Sequence, residues 1–331
     1  DFKRGLQLYS SGVMIMENCE DLLPEHFRFV RGIVDSQDLS LNISREMLQH
    51  NRQLTIIARN IEKKIKSELK AMLDNDREKY EEFYAAFGRQ LKYGAVSDYG
   101  AHKESCQDLL LFYSHKQGKL ISLKEYVDAM PEGQEKIYFA PGENKELLAK
   151  LPQVTLLDGK GYDTLLFTED VDEFVPQTLM TYQEKSFCNV STDDLGLQSE
   201  DEKKAAEDAT AENKDLFDAM KTALDGKVKE VKVSTRLKDH PVCLSADGPL
   251  SIEMEKVLSK QPGSEGVKSD KVLELNVNHP VFAALKAAQE AGDTEKLNKY
   301  SALLYAQAQL IEGLPVDAPA AYAEAVCSLM K

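Results

Sequence analysis

The chain of 331 residues has no tryptophan, no long apolar run and no excess of basic charge. No stretch approaches the ~20 consecutive apolar residues of a membrane span, so a transmembrane helix is not expected. A formal net charge of −15 argues against nucleic acid or an anionic membrane as partner, because both need a broadly basic surface. The five cysteines, Cys19, Cys106, Cys188, Cys243 and Cys327, are odd in number and scattered, with no C-x-x-C pair. They read as reduced thiols of a cytoplasmic protein, not as a disulfide frame or a zinc site. The six histidines show no ligand spacing, so no metal site is expected. Gly159-Lys160-Gly161 lacks the G-x-x-x-x-G-K-[ST] spacing of a phosphate loop and reads as a turn. A nucleophile–base pair at a recognised spacing is also missing.

What is present is a chain long enough for two or three cores and ordinary in composition, 42% hydrophobic and 29% charged. Its most informative stretch runs from Asp38 to Asn75. Leu39, Leu41 and Ile43 alternate with Ser40, Asn42 and Ser44, the period of a half-buried strand. Met47, Leu54, Ile57, Ile61, Ile65, Leu69 and Met72 then follow the ~3.6-residue period of an amphipathic helix. Ser44 stands where an N-cap belongs, which puts Arg45 at the first helical position, where the helix dipole disfavours a cation. Spacing leaves two readings open: a solvated basic face continued by Arg52 and Arg59, or an anion site built from Arg45 and Gln49 beside unsatisfied N–H groups.

The remaining chain reads as mixed α/β, α+β taken as a whole. Leu6 to Ile15 has a strand pattern, and Asp76 opens a helix bearing Tyr80, Phe83, Tyr84, Phe87 and Leu91, closed at Tyr93-Gly94 by a C-cap glycine. Ile137–Phe139, a helix to Leu151, Leu165–Phe167 and a helix from about Val171 give a β-α-β-α order and hence a parallel sheet. Gln198 to Asn213 is charged, alanine-rich and without breakers, so a domain boundary is placed there. The expected domains are 1–95, the end of a large subdomain with the long helix; 96–197, a small α/β subdomain; and 198–331, a smaller α+β domain ending in a helical hairpin. Leu250, Ile252, Met254, Val257 and Leu258, between Gly248-Pro249 and Pro262-Gly263, form a short apolar segment that either projects from the body or docks as a helix on its own sheet. The last two helices, carrying Leu303, Leu304, Leu310 and Ile311 and then Tyr322, Val326 and Leu329, have little chain left to cover them, which suits a two-fold four-helix bundle.

CEDLLPEHFRFVRGIVDSQDLSLNISREMLQ, Cys19 to Gln49, resembles the middle domain of the ninety-kilodalton heat-shock chaperone family in its bacterial form, and YFAPGEN and LLFTEDVDEF continue the likeness. The resemblance implies the middle and C-terminal domains of an ATP-dependent chaperone, the chain being a fragment of a longer protein. It places Arg45, assisted by Gln49, against the γ-phosphate of ATP held with magnesium by a separate N-terminal domain, so that this chain needs no cofactor of its own. It implies that unfolded clients meet Phe174, where bacterial members often carry Trp, and the segment Leu250, Ile252, Met254, Val257 and Leu258. Homodimerisation through the final helices is implied as well. The alternatives are a stand-alone phosphate-using α/β enzyme and a structural dimer scaffold.

Overall fold

The structure is a computed structural model that describes residues 5–39, 52–248, 250–259 and 267–330. It divides into two compact units, Asp1–Phe112 with Leu120–Ala129 and Val171–Glu184, and Tyr113–Lys119 with Met130–Asp170 and Lys185–Lys331.

In the first unit, β1 (Leu6–Ser10) and β2 (Val13–Cys19) pair antiparallel, and β3 (Ile33–Asp35) lies parallel to β1. The expectation of one strand from Leu6 to Ile15 is corrected here. Ser11 and Gly12 take φ of 49° and 79°, the two positive values of a tight hairpin turn, and the apolar positions change phase across it, from Leu6 and Leu8 to Val13 and Ile15. The Gly12 N–H donates to Asp35 Oδ2 at 3.0 Å, joining the turn to β3.

Helices α1 (Arg52–Asn75) and α2 (Arg77–Val96) follow, with Asp76 as the N-cap between them, its side chain accepting from the Lys79 N–H. Tyr80, Tyr84 and Leu91 of α2 are buried, and their hydroxyls find partners: Tyr80 donates to the Leu109 carbonyl at 2.5 Å and Tyr84 to that of Leu111 at 3.1 Å. Phe83 and Phe87 are half-buried and pack on Phe29 with ring centroids 5.2 and 4.8 Å away. The aromatic stripe is core. Gly94 does not end α2, which continues to Val96. A Cβ at Gly94 would lie 2.4 Å from the His26 Cβ, so glycine is needed there for close approach and not as a stop. Lys92 on the same helix forms a buried ion pair with Asp172 at 2.7 Å, which ties α2 to the Val171–Glu184 segment.

In the second unit, β4 (Lys136–Pro141) lies between β5 (Leu165–Phe167) and β6 (Lys185–Asn189), parallel to both, while Tyr113 and Ser114 pair antiparallel with β5. The parallel order is the one expected. The intervening helix differs: a single turn, Lys145–Leu148, is followed by α3 (Pro152–Gly159), because Pro152 is pre-set for the first position of a new helix and does not close the old one. The helix expected from about Val171 starts later, at Phe174–Leu179, in the first unit.

Next come α4 (Glu200–Glu212), held by a Ser199–Glu202 capping box and burying nothing, and α5 (Lys214–Ala223), which buries Leu216, Phe217 and Met220. A three-stranded sheet is built from β7 (Glu230–Val233), β8 (Val242–Asp247) and β9 (Asp270–Leu275), with β9 central, parallel to β7 and antiparallel to β8. Helices α6 (Ile252–Ser259), α7 (Pro280–Glu290), α8 (Thr294–Ile311) and α9 (Pro319–Ser328) complete the unit. His279 caps α7, as Asn278-His279-Pro280 predicts, its Nδ1 accepting from the Val281 N–H at 3.3 Å. Leu244, Leu273, Phe217, Leu285 and Leu304 share one core. Among the described residues, no helix is long and apolar enough to cross a membrane.

Candidate functional site

Arg45 and Gln49, the expected phosphate-contacting pair, lie outside the described residues. Downstream on α1, Leu54, Leu69 and Leu73 are buried, Ile57, Ile61 and Ile65 half-buried, and Arg52 and Arg59 exposed. The helix is therefore amphipathic in the register the apolar period gave. Phe174 is the first residue of its helix and half-buried.

The segment Leu250–Leu258 does not project but takes the other of the two expected arrangements, docked on its own unit. Ile252, Met254 and Val257 are buried, and Leu250 and Leu258 half-buried. Ile252 joins the same core as Leu244 and Leu273. Polar ties add to this seat at both flanks of α6. Ser251 Oγ accepts from the Met254 N–H at 2.9 Å and so starts the helix. Glu255 Oε2 accepts from the Ser269 N–H at 2.8 Å, from Ser269 Oγ at 2.6 Å and from Lys271 Nζ at 2.7 Å. Burial alone would push the Glu255 carboxyl up, but the Lys271 and Ser269 donors outweigh it and hold the group below the ordinary carboxylate range. Lys256 Nζ donates to Glu253 Oε2 at 2.7 Å and to the Glu312 carbonyl at 3.2 Å, fastening α6 to the end of α8. The flanking Gly and Pro residues suggested a loose arm, yet the interior of the segment supplies the anchors.

Of the residues expected at a dimer interface, Leu303 and Leu304 are buried within the chain, Ile311, Tyr322 and Val326 are half-buried, and Leu310 and Leu329 are exposed, at 49% and 55%. Helix α9 buries no residue. The loop before it is fixed by Gln309, whose Nε2 donates to the Pro315 carbonyl and to Asp317 Oδ1, each at 3.3 Å, and by the Lys227–Asp317 ion pair at 2.8 Å. The hinge thus holds α9 in place with Tyr322 and Val326 only half-covered.

One grouping escaped the sequence reading. His26, Glu62 and His102 come from three separate elements and bring one possible ligand atom each within 4.8 Å of one another. Spacing along the chain could not show it, since the fold alone brings these residues together.

The family model described as Hsp90 protein matches residues 1–331. The chain belongs to the Hsp90 family. Relatives named Chaperone protein HtpG share 55% identity over 331 residues in Clostridium botulinum (strain Langeland), 56% over 330 residues in Bacillus subtilis (strain 168) and 58% over 331 residues in Clostridium acetobutylicum. Each alignment covers 100% of this chain and 53% of the relative, so the chain spans about half the length of the Hsp90-family proteins it matches.

Within this Hsp90-family chain, the junction of α6 and α8 carries a strained charge. Burial pushes the Glu312 carboxyl up to about 7, against the pull of Lys256 and Arg236 and with a smaller push from Glu253 and Glu274. The residue as a whole is half-buried, but its Oε1 is enclosed without a hydrogen-bond partner among the described residues. Between the unfolded value near 4.5 and about 7, the unfolded chain gives up this proton while the folded chain keeps it, so stability falls as pH rises through that window. Glu312→Gln is expected to match the parent at pH 4 and to exceed it by roughly 1–3 kcal/mol at pH 8, read from urea unfolding.

Proposed function

We propose that this chain is the middle and C-terminal part of an ATP-dependent molecular chaperone, which holds partly unfolded proteins and pairs with a second copy of itself. The observation that carries this reading is the alignment of the whole chain, at 55–58% identity, with relatives named Chaperone protein HtpG that are about twice as long. The remaining half of such a protein would hold ATP and magnesium in an N-terminal domain. Arg45 would then reach the γ-phosphate, with Gln49 assisting, stabilising charge on the transferring group by fixed donors. By itself the chain would hydrolyse nothing. A cytoplasmic location and a role in the stress response belong to the same reading.

For client binding, the half-buried Phe174, Leu250 and Leu258 are what an unfolded segment would meet first. Ile252, Met254 and Val257 would become available only when α6 leaves its seat. Dimerisation is supported by α9, a ten-residue helix that buries nothing in its own chain. Helices of that length are marginal in water without packing, so a second copy supplying two more helices would stabilise it.

In the parent protein with its N-terminal domain, Arg45→Ala is expected to lower ATP turnover by about 10²-fold, with Gln49→Ala milder; turnover equal to the parent would remove Arg45 from the mechanism. The chain should suppress light scattering by an aggregating client, with Phe174→Ala and Met254→Ala each weakening the effect by about fivefold if each contact is worth ~1 kcal/mol. Suppression unchanged in both variants would leave a dimer scaffold as the better reading.

A further inference from the structure

The strongest unassigned chemistry lies in the first unit, away from every residue given a role above. His26 sits in the single turn Glu25–Phe27, is 5% exposed and packs directly on Gly94 of α2. Its Nε2 is fully enclosed and has no hydrogen-bond partner among the described residues. Leaving a buried ring nitrogen unmatched costs about 1–3 kcal/mol, so a fold that keeps it there invites a ligand for it. Glu62 of α1 and His102, just before the turn Lys103–Cys106, face the same spot. The His26 and His102 ring centroids are 4.9 Å apart, and His102 Nδ1 is 3.6 Å from Glu62 Oε1.

We propose that His26, Glu62 and His102 form a binding site for a divalent transition-metal ion, with Zn²⁺ as the fitting member of the class. Two imidazoles and one carboxylate are a donor set that zinc accepts, with a fourth position open to water. Bonds of about 2.0–2.2 Å place tetrahedral ligands about 3.3 Å apart, so the three atoms must close from 4.8 Å or less. Closing is feasible because only His26 is locked: the Glu62 and His102 side chains are 22% and 37% exposed and can turn inward. Ser105 Oγ donates to Glu62 Oε1 at 2.7 Å, orienting the carboxylate as the outer partners of metal ligands do. Access is provided by a groove of about 790 Å³ that contains all three residues. Five carboxylates line that groove against two guanidiniums, those of Arg28 and Arg59, an acidic balance that favours a cation. A bound ion would clamp α1 to the Glu25–Phe27 turn and to the segment after α2, and it would do so whether or not the chaperone reading holds.

The test is titration of the chelator-treated 331-residue chain with Zn²⁺ by calorimetry and with Co²⁺ by visible absorption. One ion per chain, the intense absorption of a four-coordinate Co²⁺ site, and a melting temperature raised by roughly several degrees at 100-fold excess over Kd are expected. His102→Ala and Glu62→Gln, both at partly exposed positions, should each weaken binding at least about tenfold, in the range seen when metal-site partners are removed, without lowering the apo melting temperature. His240→Ala and Cys327→Ser should change nothing. No saturable binding, binding indifferent to His102→Ala and Glu62→Gln, or binding lost in Cys327→Ser would overturn the assignment.

Discussion

The physical constraint on which the C-terminal architecture depends is the mismatch between α8 and α9. Helix α8 is buried along much of its length, with Leu297, Leu303, Leu304, Tyr305 and Ala308 enclosed, whereas α9 buries nothing. The loop between them is pinned by Gln309 and by the Lys227–Asp317 pair, so α9 is held at a fixed place with its apolar residues only half-covered. Leu310, Leu329 and Met330 are exposed, at 49%, 55% and 79%, and Tyr322 and Val326 beside them are half-buried, which leaves a partly open apolar surface. A second copy, as proposed above, would cover that surface, since a two-fold axis supplies the same face twice.

The same unit shows how an apolar segment can be stored. Helix α6 gives Ile252, Met254 and Val257 to the interior and is fastened by Glu255 on one side and Lys256 on the other. These ties are few and polar, and one of them ends beside Glu312, whose carboxyl is unwelcome when ionised. The seat of α6 thus combines the core contact of Ile252 with the polar ties of Glu255 and Lys256.

Much of this was legible in the sequence where one local rule decided the outcome. Asn278-His279-Pro280 announced the start of α7, and Leu165–Phe167 the second strand of the parallel sheet. Misreadings arose where a single residue type serves two purposes. Gly94 looked like a helix stop but makes room for His26, and the single helix expected up to Leu151 gives way to two, the second begun by Pro152. The turn at Ser11-Gly12 was marked by the Ser-Gly pair and by the change of phase from Leu6 and Leu8 to Val13 and Ile15, which reading Leu6–Ile15 as one strand passed over. The docking of α6 was hidden for another reason: its apolar residues suit a surface or a core equally, and only the tertiary ties to Ser269, Lys271 and Glu312 distinguish the two. The His26–Glu62–His102 grouping lay beyond any local rule, since its members meet only through the packing of α1 and α2.

The claim that the final helices complete themselves across a two-fold axis is tested most directly by sedimentation equilibrium of this chain at micromolar concentration. The account predicts a mass of two chains, reverting to one when Leu329→Asp places a charge on the uncovered face of the hairpin. A single-chain mass for the unaltered protein across the micromolar range, or a two-chain mass that Leu329→Asp leaves intact, would contradict it.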